Sequence, residues 1–580
     1  MIRVLRFAAI LLLFTCIVSA QSQKESAISS TAELVTVPVV VTDSTGKAIR
    51  GMKQENFKIQ ENGKEQRIAT FEEVGATRRT IRSVTQQNGI YTNRVNNDNA
   101  VSLGILVVDF VNTRAVNQYW AIRGALSFLD KWKGKGGFNQ PMMMAAITRS
   151  GLRVIHQATS DPAVLETAMQ FVKSAPSPGR ENQQGTLLTA ADPPRNRDGT
   201  PIVPGGPESR GGPSYEDRVT AARQEAQQID QMERANQVIR QAAVNADTRT
   251  TMWALQALAN GVAGIPGRKV MIWSSEVFPF QSVQEVFGSA EWTKAHGSTD
   301  EDPELKPLRD ATLLALNRAN ISVYPVNAAG LLTPEYFDAS WADRTLMTGA
   351  QWSAKLNRTS EGEMDNKQNA RIVADETGGR PCMNTNDIAD CLGRALDDSS
   401  HYYMLTYYPD PKPKGAGWRK IKVDVKGEKI NVRARNSYFY GTVPTYGTPA
   451  KSEMAVALQS NLDYTALPIV LKFIGMKPAE GGKRIVEFVV GVDGRALSID
   501  EEHGNRISLL IGAQAKAGDA PAVISIDTKL KPELVEQIRA KQLTHNGEMQ
   551  LTLGKYDVRV VVRDNLTGRI GSVVAPIEVQ

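Results

Sequence analysis

The spacing of apolar side chains changes along the chain, and each change marks a different kind of unit. Val35, Val37, Val39 and Val41 alternate with Thr36, Pro38 and Thr42, which predicts a half-buried strand that turns at Asp43 to Gly46. Phe57 and Ile59, the pair Asn62-Gly63, then Ile68 and Phe71 predict a hairpin. These elements make a small β module over residues 30–78. The stretch "TQQNGIYTNRVNNDNA" that follows is polar, asparagine-rich and aperiodic, and reads as a linker.

From Val101 strand-like apolar runs alternate with helical periodicity, the pattern of an α/β sheet with helices on both faces. The run from Val101 to Asp109 precedes a helical stripe at Tyr119, Ile122, Leu126 and Leu129. Strands follow at Met142 to Thr148 and Leu152 to His156, and Asp161-Pro162 starts another helix. A Pro/Gly/Asn/Arg-rich insertion at about 175–213 has no apolar period and reads as a long loop. Beyond it the pattern predicts a helix from Ser214, a second over Thr251 to Val262, a strand at Lys269 to Ser274, a helix near Glu304 to Asn317 and a strand at Ile321 to Val326. The stretch from Leu331 to Glu363, with Trp341 and Trp352, is poorly periodic and is expected to cap one end of the sheet. "HYYMLTYYP" reads as an aromatic strand, with a hairpin around Gly427 after it, and the α/β domain is expected to span 100–440. Short strands at Ile469, Ile485, Ile507, Ala522 and Tyr556 predict an immunoglobulin- or fibronectin-like β-sandwich over 455–580.

Composition adds the compartment. Arg3 and Arg6 precede an apolar run from Phe7 to Val18 and the small Val18-Ser19-Ala20, which reads as a secretory signal peptide over residues 1–20. Export to the periplasm or the outside follows, with no membrane span after cleavage. The 68 basic residues exceed the 62 acidic ones by six but are scattered, so charge gives no nucleic-acid footprint. Cys382 and Cys391 survive processing; they either close a small disulfide loop or are two buried thiols.

Several segments together resemble a family, the VWFA-related domain proteins of Acidobacteria type, divergent relatives of von Willebrand factor type A domains. They are "ELVTVPVVVTDSTGKAIRGMKQENFKIQENGKEQRIATFEE", "LGILVVDFVNT", "SDPAVLETAM", "LQALANGVAGIPGRKVMIWSSEVFP", "ADETGGRPCMNTNDIADCLGRALDDSSHYYMLTYYP", "RKIKVDVK" and "GKYDVRVVVRDNLTGRIGSVVAPIEV". The resemblance implies a Rossmann-like, vWA-like open sheet over 100–440 with ligands at the carboxyl ends of its strands, and a binding or adhesion module rather than an enzyme.

It also implies a place to look for a metal. A type A domain holds Mg²⁺ through a DxSxS segment, a loop threonine and a later aspartate. Here Asp109 and Thr113 keep the outer positions of the first motif while Val111 replaces its middle serine. Thr251 stands where the loop threonine would be, and Glu276 is the nearest substitute for the later aspartate. The two readings are a degenerate Mg²⁺ site at Asp109, Thr113, Thr251 and Glu276 that accepts a partner's acidic side chain, or a strand end at which Asp109, Asn112 and Thr113 bond the next loop.

No other motif competes. His156, His296, His401, His503 and His545 have no paired ligand spacing, "GIPGRKV" lacks a phosphate loop's spacing, no G-x-S-x-G elbow occurs, and "STDEDPE" reads as a charged helix start. The function expected is recognition of a protein or cell-surface partner. The alternatives are a structural component of an envelope or secreted assembly, and an envelope hydrolase with an unrecognised site.

Overall fold

The computed structural model of the protein describes residues 34–75, 86–94, 102–174, 215–280, 305–330, 364–410, 417–440, 450–515 and 521–580, less positions 88, 365, 386 and 502. The expected signal segment, the insertion at 175–213, the acidic stretch at 298–304 and the segment with Trp341 and Trp352 lie outside the described residues. The first strands are β1 (Val35–Asp43), β2 (Phe57–Glu61), β3 (Lys64–Gln66), β4 (Ile68–Gly75), β5 (Gln86–Gln87) and β6 (Ile90–Thr92). The middle of the chain carries β7 (Leu103–Asp109), α1 (Ala115–Gly134), β8 (Met142–Thr148), β9 (Gly151–Thr159), α2 (Pro162–Ser174), α3 (Tyr215–Val262), β10 (Lys269–Ser275), α4 (Leu305–Arg318) and β11 (Ile321–Asn327). A helix α5 over 366–377 precedes α6 (Ile388–Ser399), β12 (His401–Tyr407), β13 (Gly417–Val425), β14 (Ile430–Arg433) and β15 (Ser437–Tyr440). The last part holds α7 (Ala450–Gln459), β16 (Ile469–Pro478), β17 (Arg484–Asp493), β18 (Arg506–Gln514), β19 (Ala522–Lys529), α8 (Pro532–Ala540), β20 (Gln542–Leu551), β21 (Gly554–Asp564) and β22 (Ile570–Val579).

Five of these strands form an open sheet in the order β11-β10-β7-β8-β9. β11, β10, β7 and β8 are parallel and β9 returns antiparallel beside β8. β7 is buried along its whole length because both faces are covered, which is why its sequence is an unbroken apolar run. Leu103, Ile105 and Val107 pack toward α3 and α4, whereas Leu106 and Val108 pack toward α1 and α6. The chain leaves β7 for β8 on one side and returns to β10 on the other, so the crevice between the carboxyl ends of β7 and β10 is the switch point where an open α/β sheet offers a ligand site.

The two helices expected around 214–262 are one, α3, of 48 residues. No glycine or proline interrupts it before Gly261, and at 1.5 Å per residue it runs about 70 Å.

Strand pairing redraws the expected boundary between the N-terminal module and the α/β domain. β12 to β15, placed by sequence in the 100–440 unit, complete the N-terminal module as a sandwich of two sheets, β14-β1-β12-β4 and β15-β13-β2-β3. The physical reason is burial: β1 to β4 are too few to enclose an apolar core. β12 lies between β1 and β4 and brings Tyr403, Leu405 and Tyr407 against Val37, Val39, Phe57 and Ile59. Inside this core Glu61 accepts hydrogen bonds from Tyr407 Oη at 2.9 Å and Tyr438 Oη at 3.0 Å.

Arg268 stitches this sandwich to the central sheet. It is buried at the amino end of β10, where its backbone N–H donates to Tyr402 Oη at 3.0 Å. Its guanidinium donates to Ser322 Oγ, Tyr324 Oη, Gly378 O and Asp398 O.

Part of the expected linker "TQQNGIYTNRVNNDNA" also belongs to a fold, since β5 and β6 lie within it. β6 pairs with β16 at the edge of β20-β17-β16-β6-β5, which stacks on β19-β18-β21-β22 as the C-terminal sandwich. Asn93 fixes the entry: its Nδ2 donates to Tyr464 O and Leu467 O, and its Oδ1 accepts from Ile469 N. α3 docks on the sandwich through small residues, since a Cβ on Gly264 would stand 2.6 Å from Thr465 O. Asn260 O accepts from both Thr465 N and Ala466 N.

Candidate functional site

The crevice at the switch point contains the residues singled out from sequence. Asp109 ends β7, Asn112 and Thr113 form the loop to α1, Thr251 lies on α3, and Ser275 and Glu276 end β10. Asp109 and Thr251 are fully buried and Thr113 nearly so, so the site is an interior one.

Every oxygen of the Asp109 carboxylate is engaged. Oδ1 accepts from the backbone N–H groups of Val111 at 2.9 Å and Asn112 at 3.0 Å, the local bonds that favour aspartate where a strand enters a loop. Oδ2 accepts from Asn112 Nδ2 at 2.8 Å and Trp273 Nε1 at 3.3 Å, with Ser275 Oγ also 3.3 Å away. Burial is the largest influence on this carboxyl and raises its pKa above the ordinary 3.8, against the bonds from Asn112, Val111 and Trp273.

The Asn112 amide joins the set together. Its second N–H donates to Thr251 Oγ1 at 2.7 Å, while that hydroxyl donates to Asp247 O at 3.0 Å. The hydroxyl's proton is thus committed, and it presents a lone pair to Asn112; the orientation of the amide follows from its two acceptors. One neutral NH₂ group occupies the space between the carboxylate and the threonine.

Glu276 is drawn elsewhere. Its carboxylate accepts from Arg114 N at 2.9 Å and Arg114 Nε at 2.6 Å, and its own backbone N–H donates to Thr113 Oγ1 at 3.2 Å. The chain then seals the crevice: Phe278 and Phe280 pack edge-on against the Trp273 ring, and Asn366 of the α5 region bonds both Glu276 O and Phe278 N.

The four expected ligands are therefore neighbours, but their lone pairs are spent on donors. The donor set does not fit Mg²⁺, because a hard cation needs oxygen lone pairs directed at one point and Asn112 directs N–H groups there. Among the described residues no three His, Cys, Asp or Glu side chains are grouped to hold a metal. The sequence reading credited Asn112 only with helping the loop turn and missed Trp273 and Arg114. The visible signal was an amide one position from the substituted serine; the indole could not have been foreseen without knowing which face of β10 it lies on.

Beyond this crevice, Cys382 and Cys391 form a disulfide with Cα atoms 6.1 Å apart. Cys382 makes a parallel bridge to Val326, so the cross-linked segment lies along the outer edge of β11.

No protein-family model and no curated protein matches the chain. Among solved structures, the pilus adhesin SpaC from Lactobacillus rhamnosus GG, in its open conformation, is similar at 9% sequence identity and a TM-score of 0.25. The match covers 92% of this chain and 57% of the adhesin's.

Proposed function

We propose that the protein is an exported, vWA-like recognition scaffold that meets a protein or cell-surface partner through its outer surfaces and needs no cation to do so. The observation that carries the reading is the Asn112 amide bonded to both Asp109 and Thr251, which uses the carboxyl-edge site as internal structure. The open sheet with helices on both faces and its switch point at Asp109 support the vWA-like assignment. The Cys382–Cys391 disulfide supports an oxidising compartment. No helix among the described residues is long and apolar enough to cross a membrane.

The test is a titration of the mature chain with Mg²⁺ and Mn²⁺, beside retention of envelope proteins on the immobilised chain with and without EDTA. We expect no saturable heat and the same retained partner in both buffers. A Mg²⁺-dependent partner lost on Asp109→Asn would overturn the proposal. The interleaving of all three units favours a second reading, a structural component that binds only its own assembly; retention of copies of the chain alone would select it.

A further inference from the structure

Among the described residues the two edges of the central sheet differ. The β11 edge carries the Cys382 segment, fastened by a disulfide, whereas nothing pairs with the outer edge of β9. Open strand edges are templates for another strand and are normally blunted. Beside this edge runs a groove of about 420 Å³ between β9 and α2, lined by Arg153, Val154 and His156 from the strand and Val164, Phe171 and Val172 from the helix. Phe171 is 73% exposed, so an aromatic ring stands in water at the groove's rim. Arg153 is exposed, and among the described residues it has no ionic partner and no carboxylate lines the groove.

We propose that this groove takes an extended peptide segment of a partner protein, which adds to the central sheet as a strand beside β9. The chemistry selects a segment with acidic side chains on one side, facing Arg153, and apolar ones on the other, set against Val164, Phe171 and Val172. Main-chain bonds to β9 supply affinity, and the alternate side chains supply the preference. The inference rests on the recognition reading and gives it a place and a partner chemistry.

The probe is an acetylated octapeptide in which glutamate alternates with valine and phenylalanine, titrated into the full mature chain and followed by fluorescence anisotropy. Controls are the same peptide with lysine for glutamate, and the same peptide N-methylated at alternate residues so that one edge cannot pair. Saturable binding is expected, weakened at least tenfold by the lysine exchange, by N-methylation, and by Arg153→Glu or Phe171→Asp. Both substitutions are at exposed positions, and circular dichroism with a melt verifies the fold of each variant. No binding of the glutamate peptide, or equal binding of the N-methylated one, overturns the proposal. If the envelope partner is retained undiminished by Arg153→Glu and Phe171→Asp, the groove is wrong while recognition stands. If no partner is retained by the parent chain, the recognition reading itself fails.

Discussion

Asn112→Ala is the sharpest test of the sealed crevice. The substitution removes a bond to a buried carboxylate at 2.8 Å and one to a buried hydroxyl at 2.7 Å. A hydrogen bond to a charged group contributes about 1.5–3 kcal/mol and a neutral one about 0.5–1.5 kcal/mol. Asp109 keeps its two backbone donors and Trp273, so the desolvation penalty is partial, and a loss of about 2–4 kcal/mol is expected in the central unit. A global melt of a chain with several cores is not two-state. The assay is therefore hydrogen exchange of the 103–113 amides, with Trp273 fluorescence as a second local readout. Protection in β7 should fall by about 30- to 1000-fold, on the scale of tenfold per 1.4 kcal/mol. Unchanged protection would refute the claim that the amide holds the crevice closed. Protection restored in the variant by millimolar Mg²⁺ would show a cation site that Asn112 merely occupies.

Four further outcomes follow from the geometry. Lys269 is buried with its Nζ donating to Gly267 O and Ala319 O, and burial lowers its pKa to about 7. Its folded form sheds the proton near pH 7 while the unfolded chain holds it to about 10.4, so its contribution to stability is constant below pH 7 and rises from there toward pH 10; Lys269→Met should remove that rise from the exchange protection factors of β10, corrected for the intrinsic exchange rate at each pH. Arg268→Ala deletes four side-chain bonds, to Ser322, Tyr324, Gly378 and Asp398, and exchange protection in β10 and β11 should drop by at least tenfold while that in β16 to β22 is kept. Gly264→Leu forces a side chain into Thr465 O and should loosen the α3 contact with the C-terminal sandwich, read as raised hydrogen exchange of the Thr465 and Ala466 amides. Reduction of the disulfide, or Cys391→Ser, frees a loop of nine residues' separation and should cost about 2.5 kcal/mol, measured as raised exchange in 380–391.

The parts legible in the sequence are those where one strand or helix carries its own period. β7, β8, β10 and β11 sit where their apolar runs predicted, and α2 starts at Pro162, with Asp161 Oδ1 accepting from Ala163 N. The approach of Asp109 to Ser275 and Glu276 follows from parallel strands ending on one edge, whereas Thr251, expected on a loop before a helix, lies inside α3. What could not be read was pairing over long separations. β1 meets β12 in the register Val35 to Tyr407, and nothing local in "HYYMLTYYP" says that its aromatic rings belong with valines near the other end of the described chain. β20, "QLTHNGEMQL", was missed because its outward side chains are polar and its inward ones few, so its period appears only against β17. At the site the strand-end reading had the bonds from Val111 N and Asn112 N to Asp109, but the decisive group, Asn112 Nδ2, is a donor that a pattern of ligand oxygens does not register.

These long pairings bear on how the chain can be divided. A fragment of residues 100–440 would carry β12 without β1 and β4, leaving both of its edges bare and Tyr403, Leu405 and Tyr407 without the valines they pack on. A fragment starting at 455 would lack β6, and with it the Asn93 side chain that holds Tyr464 O, Leu467 O and Ile469 N. Bare strand edges recruit other chains, so both fragments should aggregate where the whole chain does not. The two crossings tie the units into one object: β12 returns to the N-terminal sandwich directly after α6, and β6 enters the C-terminal sandwich shortly before β7. A partner strand docked on β9 would then load a sheet bonded on both sides, through Arg268 N to Tyr402 Oη and through Gly264 N to Thr465 Oγ1.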